Sequence, residues 1–431
     1  MGAPEDDVVR IREMVEKCLR LVLPLGSSLP THDEDWIESG LLDSMAHVEV
    51  LLCLENAANC PNAFNRIGSA PITTIRSAIE AIRSVASSAA EGQSQRTERD
   101  TIRIHRTDRQ AGILGWGIAL GTKQVSVDQV EHEFDLPKGN LKARAGIESV
   151  CRVAENQDEV SLATIAARKA LQMAGISQQS VDWIIGTSET FLCFPSLAAS
   201  LHTALLATST CRVLDVGGAC VGLLNCFAVA NALFANGRVD CILIVSSDVH
   251  SRFLSPGRVD GEFGGLFGDA ASAFVLLRHV GAGDALPYSI AADIAGCTGT
   301  FSSVLRIRLG VDGTIILNFE GDALAHAAID RIDRVISDLE TISGKSRHEA
   351  SAFAIHQPNP RLVDIFLRRM KLPHEKVPVV ARLYGNLGAS TCGVALSMAL
   401  DNHAIKPRSE RGPIFVVSVG PGMLWVGTVL E

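Results

Sequence analysis

The chain has 431 residues, 47% of them hydrophobic and 20% charged, with a formal net charge of -9. That balance excludes a disordered polymer and supplies no bulk basic surface for nucleic acid. The length fits two or three domains, and no run of about 18 apolar residues offers a membrane span. The 11 cysteines are odd in number and form no CxxC pair. This argues against a disulfide framework and against a metal site of the structural zinc type. The opening MGAPEDDVVRIREMVEK is acidic and lacks an apolar signal core, so a cytoplasmic protein with reduced thiols is expected.

Three helical runs come first. Residues 7–20 (DVVRIREMVEKCLR) place apolar side chains at helical spacing. A polar loop around SSLPTHDED follows. Residues 44–57 (SMAHVEVLLCLENA) are a second run, opened by Asp43 and Ser44 as a helix-start signal. Residues 74–86 (TIRSAIEAIRSVA) are the third. The next stretch is rich in Ser, Ala and charge and reads as a linker over 87–108, after a helical domain over 1–86.

From residue 111 the pattern changes to strands alternating with helices. AGILGWGIAL reads as a glycine-punctuated strand, 162–176 as a helix ending on Gly175, and VDWIIGTSE and CILIVSSD as buried strands. After about residue 288 the alternation recurs: 323–340 as a helix, SAFAIHQ as a strand into a loop, VALSMAL as a helix and IFVVSVG as a late strand. This predicts an α/β fold with buried sheets. Its first half spans 109–280 and its second 281–431.

In LDVGGACVGLLNCF a strand runs into Gly217, Gly218 and Ala219, then Cys220, then a long apolar helix. Cys220 therefore sits at a helix start, where free N–H groups and the helix dipole favour a thiolate. Small neighbours allow an acyl chain to approach. Position alone leaves a buried structural thiol and a covalent nucleophile equally open. Two loop residues are candidate partners: His356, delivered by a strand into HQPNPRL, and Asn386, between two glycines in YGNLGAS.

The ordered set GGACVG, LFGDAASAFVLL, HQPNPRL, YGNLGAS and SVGPGMLWVG, with LKARAGIESV and CFPSLAA upstream, resembles the β-ketoacyl-acyl-carrier-protein synthase III (ketosynthase III) family of the thiolase superfamily. The resemblance covers about residues 111–431. It implies a five-layer αβαβα sandwich of two similar halves and a homodimer. It implies Cys220 as the acyl-accepting nucleophile and His356 with Asn386 as the pair assisting condensation. The backbone N–H groups of Cys220 and Gly422 would form the oxyanion hole. Phe194 would reach across a dimer to limit the partner's acyl pocket. Gly268 and Asp269 read as scaffold. Arg144 and Arg361 would serve the docking of the acyl donor. The sequence departs from the family where a Trp and an Arg usually contact coenzyme A: Asn140 and Gly261 stand there, with Arg258 nearby. This weakens coenzyme A as donor and favours a carrier-bound thioester.

WIESGLLDSMAHVEVLLCLE resembles an acyl carrier protein, with Ser44 as the attachment point of 4′-phosphopantetheine; a plain helix-capping serine is the alternative. A small all-α carrier-like bundle would thus precede the synthase. The expected chemistry is decarboxylative Claisen condensation of an acyl-Cys with a malonyl thioester, in polyketide, fatty-acid or other specialised acyl-chain biosynthesis. Partners would be acyl and malonyl thioesters on carriers or coenzyme A, and other synthase or carrier proteins. Acyl transfer to an O, N or S acceptor without condensation is the alternative.

Overall fold

A computed structural model of the chain describes residues 4–24, 26–60, 64, 71–91, 111–278, 288–311, 314–404 and 411–431. It divides into two units, residues 1–102 with 319–330 and residues 103–318 with 331–431.

The first unit contains the helices α1 (Pro4–Val22), α2 (Ser44–Ala57) and α3 (Ile75–Glu91). Helix α3 runs past the predicted end at 86, and the predicted linker beyond residue 91 lies outside the described residues. The apolar faces of the helices meet around Val15, Leu19, Val50, Leu54 and Ile75, with Trp36 inserted from the long α1–α2 loop. That loop is tied down: the Trp36 N–H donates to the Thr73 carbonyl at 2.8 Å, and the Thr73 hydroxyl donates to Asp35 at 2.5 Å. The N-cap of α2 is Asp43, whose carboxylate accepts from the Ala46 N–H at 2.9 Å. Ser44 is therefore the first helical residue and not the cap.

Among the described residues, thirteen strands and the remaining helices follow in this order, with residues 319–330, the end of β10 and the start of α11, belonging to the first unit. The strands β1 (Ala111–Leu120) and β2 (Lys123–Ser126) lead to α4 (Val127–Glu133), α5 (Asn140–Ala145) and β3 (Ser149–Arg152). Then come α6 (Glu159–Ala174), β4 (Trp183–Thr187), α7 (Leu197–Leu205), β5 (Arg212–Asp215) and α8 (Gly222–Ala235). Next are β6 (Cys241–Val249), α9 (His250–Phe253), α10 (Gly261–Gly264) and β7 (Asp269–Arg278). The second half opens with β8 (Tyr288–Cys297), β9 (Leu305–Leu309), β10 (Ile315–Phe319) and α11 (Gly321–Ser343). It closes with β11 (Ala352–Ile355), α12 (Pro360–Met370), α13 (Ala381–Tyr384), α14 (Ala389–Ala404), β12 (Ile414–Gly420) and β13 (Leu424–Leu430).

Nine strands form one sheet in the order β11-β12-β13-β8-β1-β7-β6-β4-β5. The pairing exposes an internal duplication. In the first half β1 pairs antiparallel with β7, β7 antiparallel with β6, and β6 parallel with β4. In the second half β8, β13, β12 and β11 repeat that pattern of orientations in that order. The two copies join where β1 pairs with β8 at Gly112 and Ile113.

Helices cover both faces of each half. Helices α8 and α14 share one core with strands of both halves, including Phe227, Phe274, Leu396 and Val416. On the far side of the first half, α6 and α7 bury Ala166, Ala170 and Leu201. On the far side of the second, Val335 and Leu339 of α11 lie against Gly427, and Phe366 of α12 meets Phe353 edge-on. Strands covered on both faces read as unbroken apolar runs, as β6 and β12 do. The edge-to-face pair Phe227–Phe274, with centroids 5.4 Å apart, adds about 1 kcal/mol beyond burial. This is the predicted αβαβα layering.

Candidate active site

Cys220 lies in the short turn Ala219–Val221 that leads into α8. The turn needs unusual backbone: φ is +141° at Gly218 and +49° at Ala219. A non-glycine residue at positive φ stores roughly 1–3 kcal/mol and persists only where the surroundings fix it. Here β12 fixes it. The Ser418 hydroxyl donates to the Cys220 carbonyl at 2.7 Å, and a Cβ on Gly420 would lie 3.4 Å from the Cys220 Cβ.

The same strand places His356. Its N–H donates to the Val417 carbonyl at 2.9 Å, one residue from Ser418, and its side chain is 4% exposed. Gln357 anchors the loop behind it, donating to Pro378 O at 2.6 Å and accepting from Val380 N at 2.8 Å. Asn386 is held by its backbone, donating to Leu266 O at 2.8 Å and accepting from Gly268 N at 2.9 Å. Its Oδ1 accepts from Gly388 N at 3.0 Å and Thr391 Oγ1 at 3.3 Å, which leaves Nδ2 as a donor. Gly268 and Asp269 are scaffold: a Cβ on Gly268 would collide with the Tyr384 carbonyl, and Asp269 accepts from Val153 N and Ser251 N.

Three acidic or basic groups that the sequence did not single out stand with them. Glu189 follows β4, Asp248 is in β6 and His250 opens α9. Glu189 and His250 form an ion pair at 3.6 Å. Asp248 Oδ1 accepts from the Glu189 N–H at 2.6 Å and the Ser188 hydroxyl at 3.1 Å. Glu189 is within electrostatic reach of Cys220, His250 and His356 together. Glu189 Oε1, His250 Nε2 and His356 Nδ1 are buried without a hydrogen-bond partner among the described residues. Buried polar atoms are normally paired, so a cluster of unpaired ones marks a place built for a reactant. A residue-level signal existed: Glu189 and His250 each end an apolar strand, and strand carboxyl ends are where α/β sites form.

The electrostatics correct one expectation. The helix start does not favour the Cys220 thiolate; burial, then the Glu189 and Asp248 carboxylates, push the thiol well above its ordinary value. Burial and like charge outweigh the helix dipole. Burial lowers His356 to about 4, so the imidazole is neutral near pH 7. Burial also opposes charge on His250, but Glu189, Asp248 and Asp269 raise it to about 9.

The remaining predicted residues lie as follows. Gly422 has φ +110° in the turn Pro421–Met423, just beyond Gly420. Phe194 is fully exposed, between β4 and α7, so one chain alone gives it no pocket to line. Arg361 donates to Ala143 O at 2.9 Å and its stem packs on Gly146, which brings it beside Arg144. Arg144 is paired with Glu262, which also accepts from Asn140 Nδ2 at 3.3 Å. Arg258 stacks over the Phe253 ring at 5.8 Å. A Cβ on Gly261 would lie 2.9 Å from the Phe134 Cβ, so Phe134 occupies the room a longer side chain would need. Among the described residues no group of His, Cys, Asp and Glu is arranged to hold a metal ion.

A duplicated mixed sheet with a cysteine in the turn before a central helix is the framework of the thiolase-type condensing enzymes. Two family models match within the second unit: 3-oxoacyl-(acyl-carrier-protein) synthase III over residues 214–293 and its C-terminal model over 342–431. A β-ketoacyl-(acyl-carrier-protein) synthase III of a Ruegeria species is 30% identical over 327 residues, covering 75% of this chain and 99% of that protein. One from Paracoccus denitrificans is 29% identical over 328 residues, covering 75% and 99%. The crystal structure of 3-oxoacyl-(acyl-carrier-protein) synthase III from Aquifex aeolicus superposes with a TM-score of 0.66 at 25% identity, covering 74% of this chain and 99% of that one. The chain belongs to the β-ketoacyl-acyl-carrier-protein synthase III family and is a transferase.

Proposed function

We propose that the second unit forms an acyl-thioester on Cys220 and condenses it with a malonyl thioester, releasing carbon dioxide. The observation that carries this is the neutral, buried His356 with Asn386 beside a strained cysteine turn. Loss of carbon dioxide from a malonyl thioester leaves an enolate. Neutral donors at His356 and at Asn386 Nδ2 stabilise that oxyanion without protonating it first. The N–H groups of Cys220 and Gly422 serve the carbonyl of the acyl-enzyme. Transfer without carbon–carbon bond formation has no use for a decarboxylating pair.

The donor is a carrier-bound thioester more than a coenzyme A thioester, because Glu262 holds Arg144 and Gly261 is hemmed in by Phe134. Ser44, the first residue of α2 after the Asp43 cap, carries the phosphopantetheine arm. An arm tethered to the same chain raises the local concentration of substrate at Cys220. Phe194 lines the acyl pocket of a second copy in a homodimer, and Arg361 beside Arg144 receives the carrier.

The test offers acyl and malonyl thioesters to the protein. Carbon dioxide release with a β-ketoacyl product is expected, and Cys220→Ala abolishes the acyl mass gain. Acyl transfer with no carbon dioxide refutes condensation. Treatment with a phosphopantetheinyl transferase is expected to add one arm to the wild type and none to Ser44→Ala.

A further inference from the structure

Glu189 and His250 have no part in the condensation chemistry above, yet they sit in the site with polar atoms unpaired. We propose that Glu189, held in place by His250, is the base that takes the Cys220 thiol proton during acyl transfer. The assignment rests on Cys220 being the acyl acceptor.

The geometry fixes the carboxylate from three sides. Its backbone is pinned by Asp248 through the Glu189 N–H at 2.6 Å. Its side chain pairs with His250 at 3.6 Å, while His250 Nδ1 lies 3.2 Å from the Gly268 carbonyl. Gly388 completes the cradle: at φ +58°, a Cβ there would lie 2.5 Å from His250 Cε1 and 2.9 Å from Glu189 Oε1. The carboxylate and the Cys220 thiol are close enough to act on each other electrostatically. One oxygen, Oε1, is buried with no hydrogen-bond partner among the described residues.

A carboxylate beside a cysteine has two opposed effects. At rest it repels the thiolate and keeps sulfur protonated. When sulfur attacks a thioester, the developing positive charge on the S–H group draws the proton to the carboxylate. The step balances. The sulfur lone pair forms the new bond to the acyl carbon as the S–H proton passes to Glu189. The tetrahedral intermediate collapses by breaking the bond to the donor sulfur. That leaving thiolate takes the proton back from Glu189 and departs as a free thiol. His250, facing Glu189, Asp248 and Asp269, is the positive charge that keeps Glu189 ionised between turnovers. His356 faces the same carboxylate in neutral form and is left for the decarboxylation step.

The experiment measures Cys220 acylation by an acyl thioester with rapid quenching and mass analysis, across pH, for the wild type and Glu189→Gln. Cys220 alkylation by iodoacetamide is followed in parallel by peptide mass. Two opposite movements are expected. Glu189→Gln lowers the alkylation midpoint, because an anion has gone. It also slows acylation at pH 7 by about 100-fold and makes the rate climb with pH. A merely structural carboxylate moves both readouts in the same direction. Glu189→Asp keeps the base and so retains the wild-type pH profile at a reduced rate. Added formate is expected to restore acylation in Glu189→Ala. Acylation of Glu189→Gln at the wild-type rate at pH 7, or absence of formate rescue, overturns the proposal. Persistent acyl labelling of Cys220→Ala instead overturns Cys220 as acceptor.

Discussion

The Ser418 hydroxyl donates a 2.7 Å hydrogen bond to the Cys220 carbonyl, across 198 positions of sequence. It ties the second half of the duplicated sheet to the strained turn in the first. Ser418 is fully buried, so Ser418→Ala leaves the carbonyl without its partner. Such a loss costs roughly 1–3 kcal/mol. The expected outcome is a lower Tm together with slower Cys220 acylation. Acylation at the wild-type rate in a destabilised variant would show that the turn holds its shape without the bond.

Gly222, two residues beyond Cys220, is pressed against Thr187. A Cβ at 222 would collide with the Thr187 hydroxyl, which is itself buried at the end of β4. Overpacking of this kind costs about 1–3 kcal/mol. Gly222→Ala is expected to lower stability by that amount and to displace α8 from β4. The compensating change Thr187→Ala in the same chain is expected to recover most of the loss, read by denaturant unfolding.

His356 gives a pH signature. Its folded value is about 4 against an ordinary 6.5, because burial disfavours the imidazolium. A depressed histidine stays neutral in the folded chain while the unfolded chain takes up a proton. Its contribution to stability is therefore full above about pH 6.5 and is lost as pH falls towards 4, roughly 3 kcal/mol in all. His250 has the opposite sign: raised to about 9, its contribution is present below 6.5 and lost as pH rises through 9. The two windows do not overlap. His356→Gln is expected to flatten the fall in stability between pH 6.5 and 4 and leave the loss near pH 9 intact. Unfolding curves across pH, compared between the two chains, check both.

Much of this was legible in the residues. The order of strands and helices from residue 111, and Cys220, His356 and Asn386 as loop and turn residues, follow from apolar runs broken by glycine. The two similar halves were expected only through the family resemblance, because the duplication itself resides in strand orientations: β8, β13, β12 and β11 repeat β1, β7, β6 and β4 with different side chains. For Glu189 and His250 the strand-end positions were legible but their pairing was not. They are 61 positions apart and become partners only because β4 and β6 run parallel and adjacent, so that their ends coincide. The Cys220 thiol shows the limit of local reasoning. A helix start reads from sequence as favourable to thiolate, while burial and two carboxylates delivered from elsewhere reverse the sign.

The Arg144–Glu262 pair sets up the last prediction. Both side chains are about half exposed, so the pair itself contributes only about 0–1 kcal/mol to stability. Its consequence is for binding. Glu262 occupies the guanidinium and also engages Asn140, so a phosphate arriving at Arg144 must displace a carboxylate. Glu262→Ala removes that competitor and leaves the Arg361 contact to Ala143 in place. KM for a coenzyme A thioester is expected to fall about fivefold, the equivalent of roughly 1 kcal/mol. Tm is expected to change little. The parallel measurement uses the same acyl group on a carrier protein, whose docking depends less on a single free guanidinium, and a much smaller change is expected there. An equal gain for both donors would show that Glu262 obstructs the entrance generally, and no gain for either would show that Arg144 does not meet the donor.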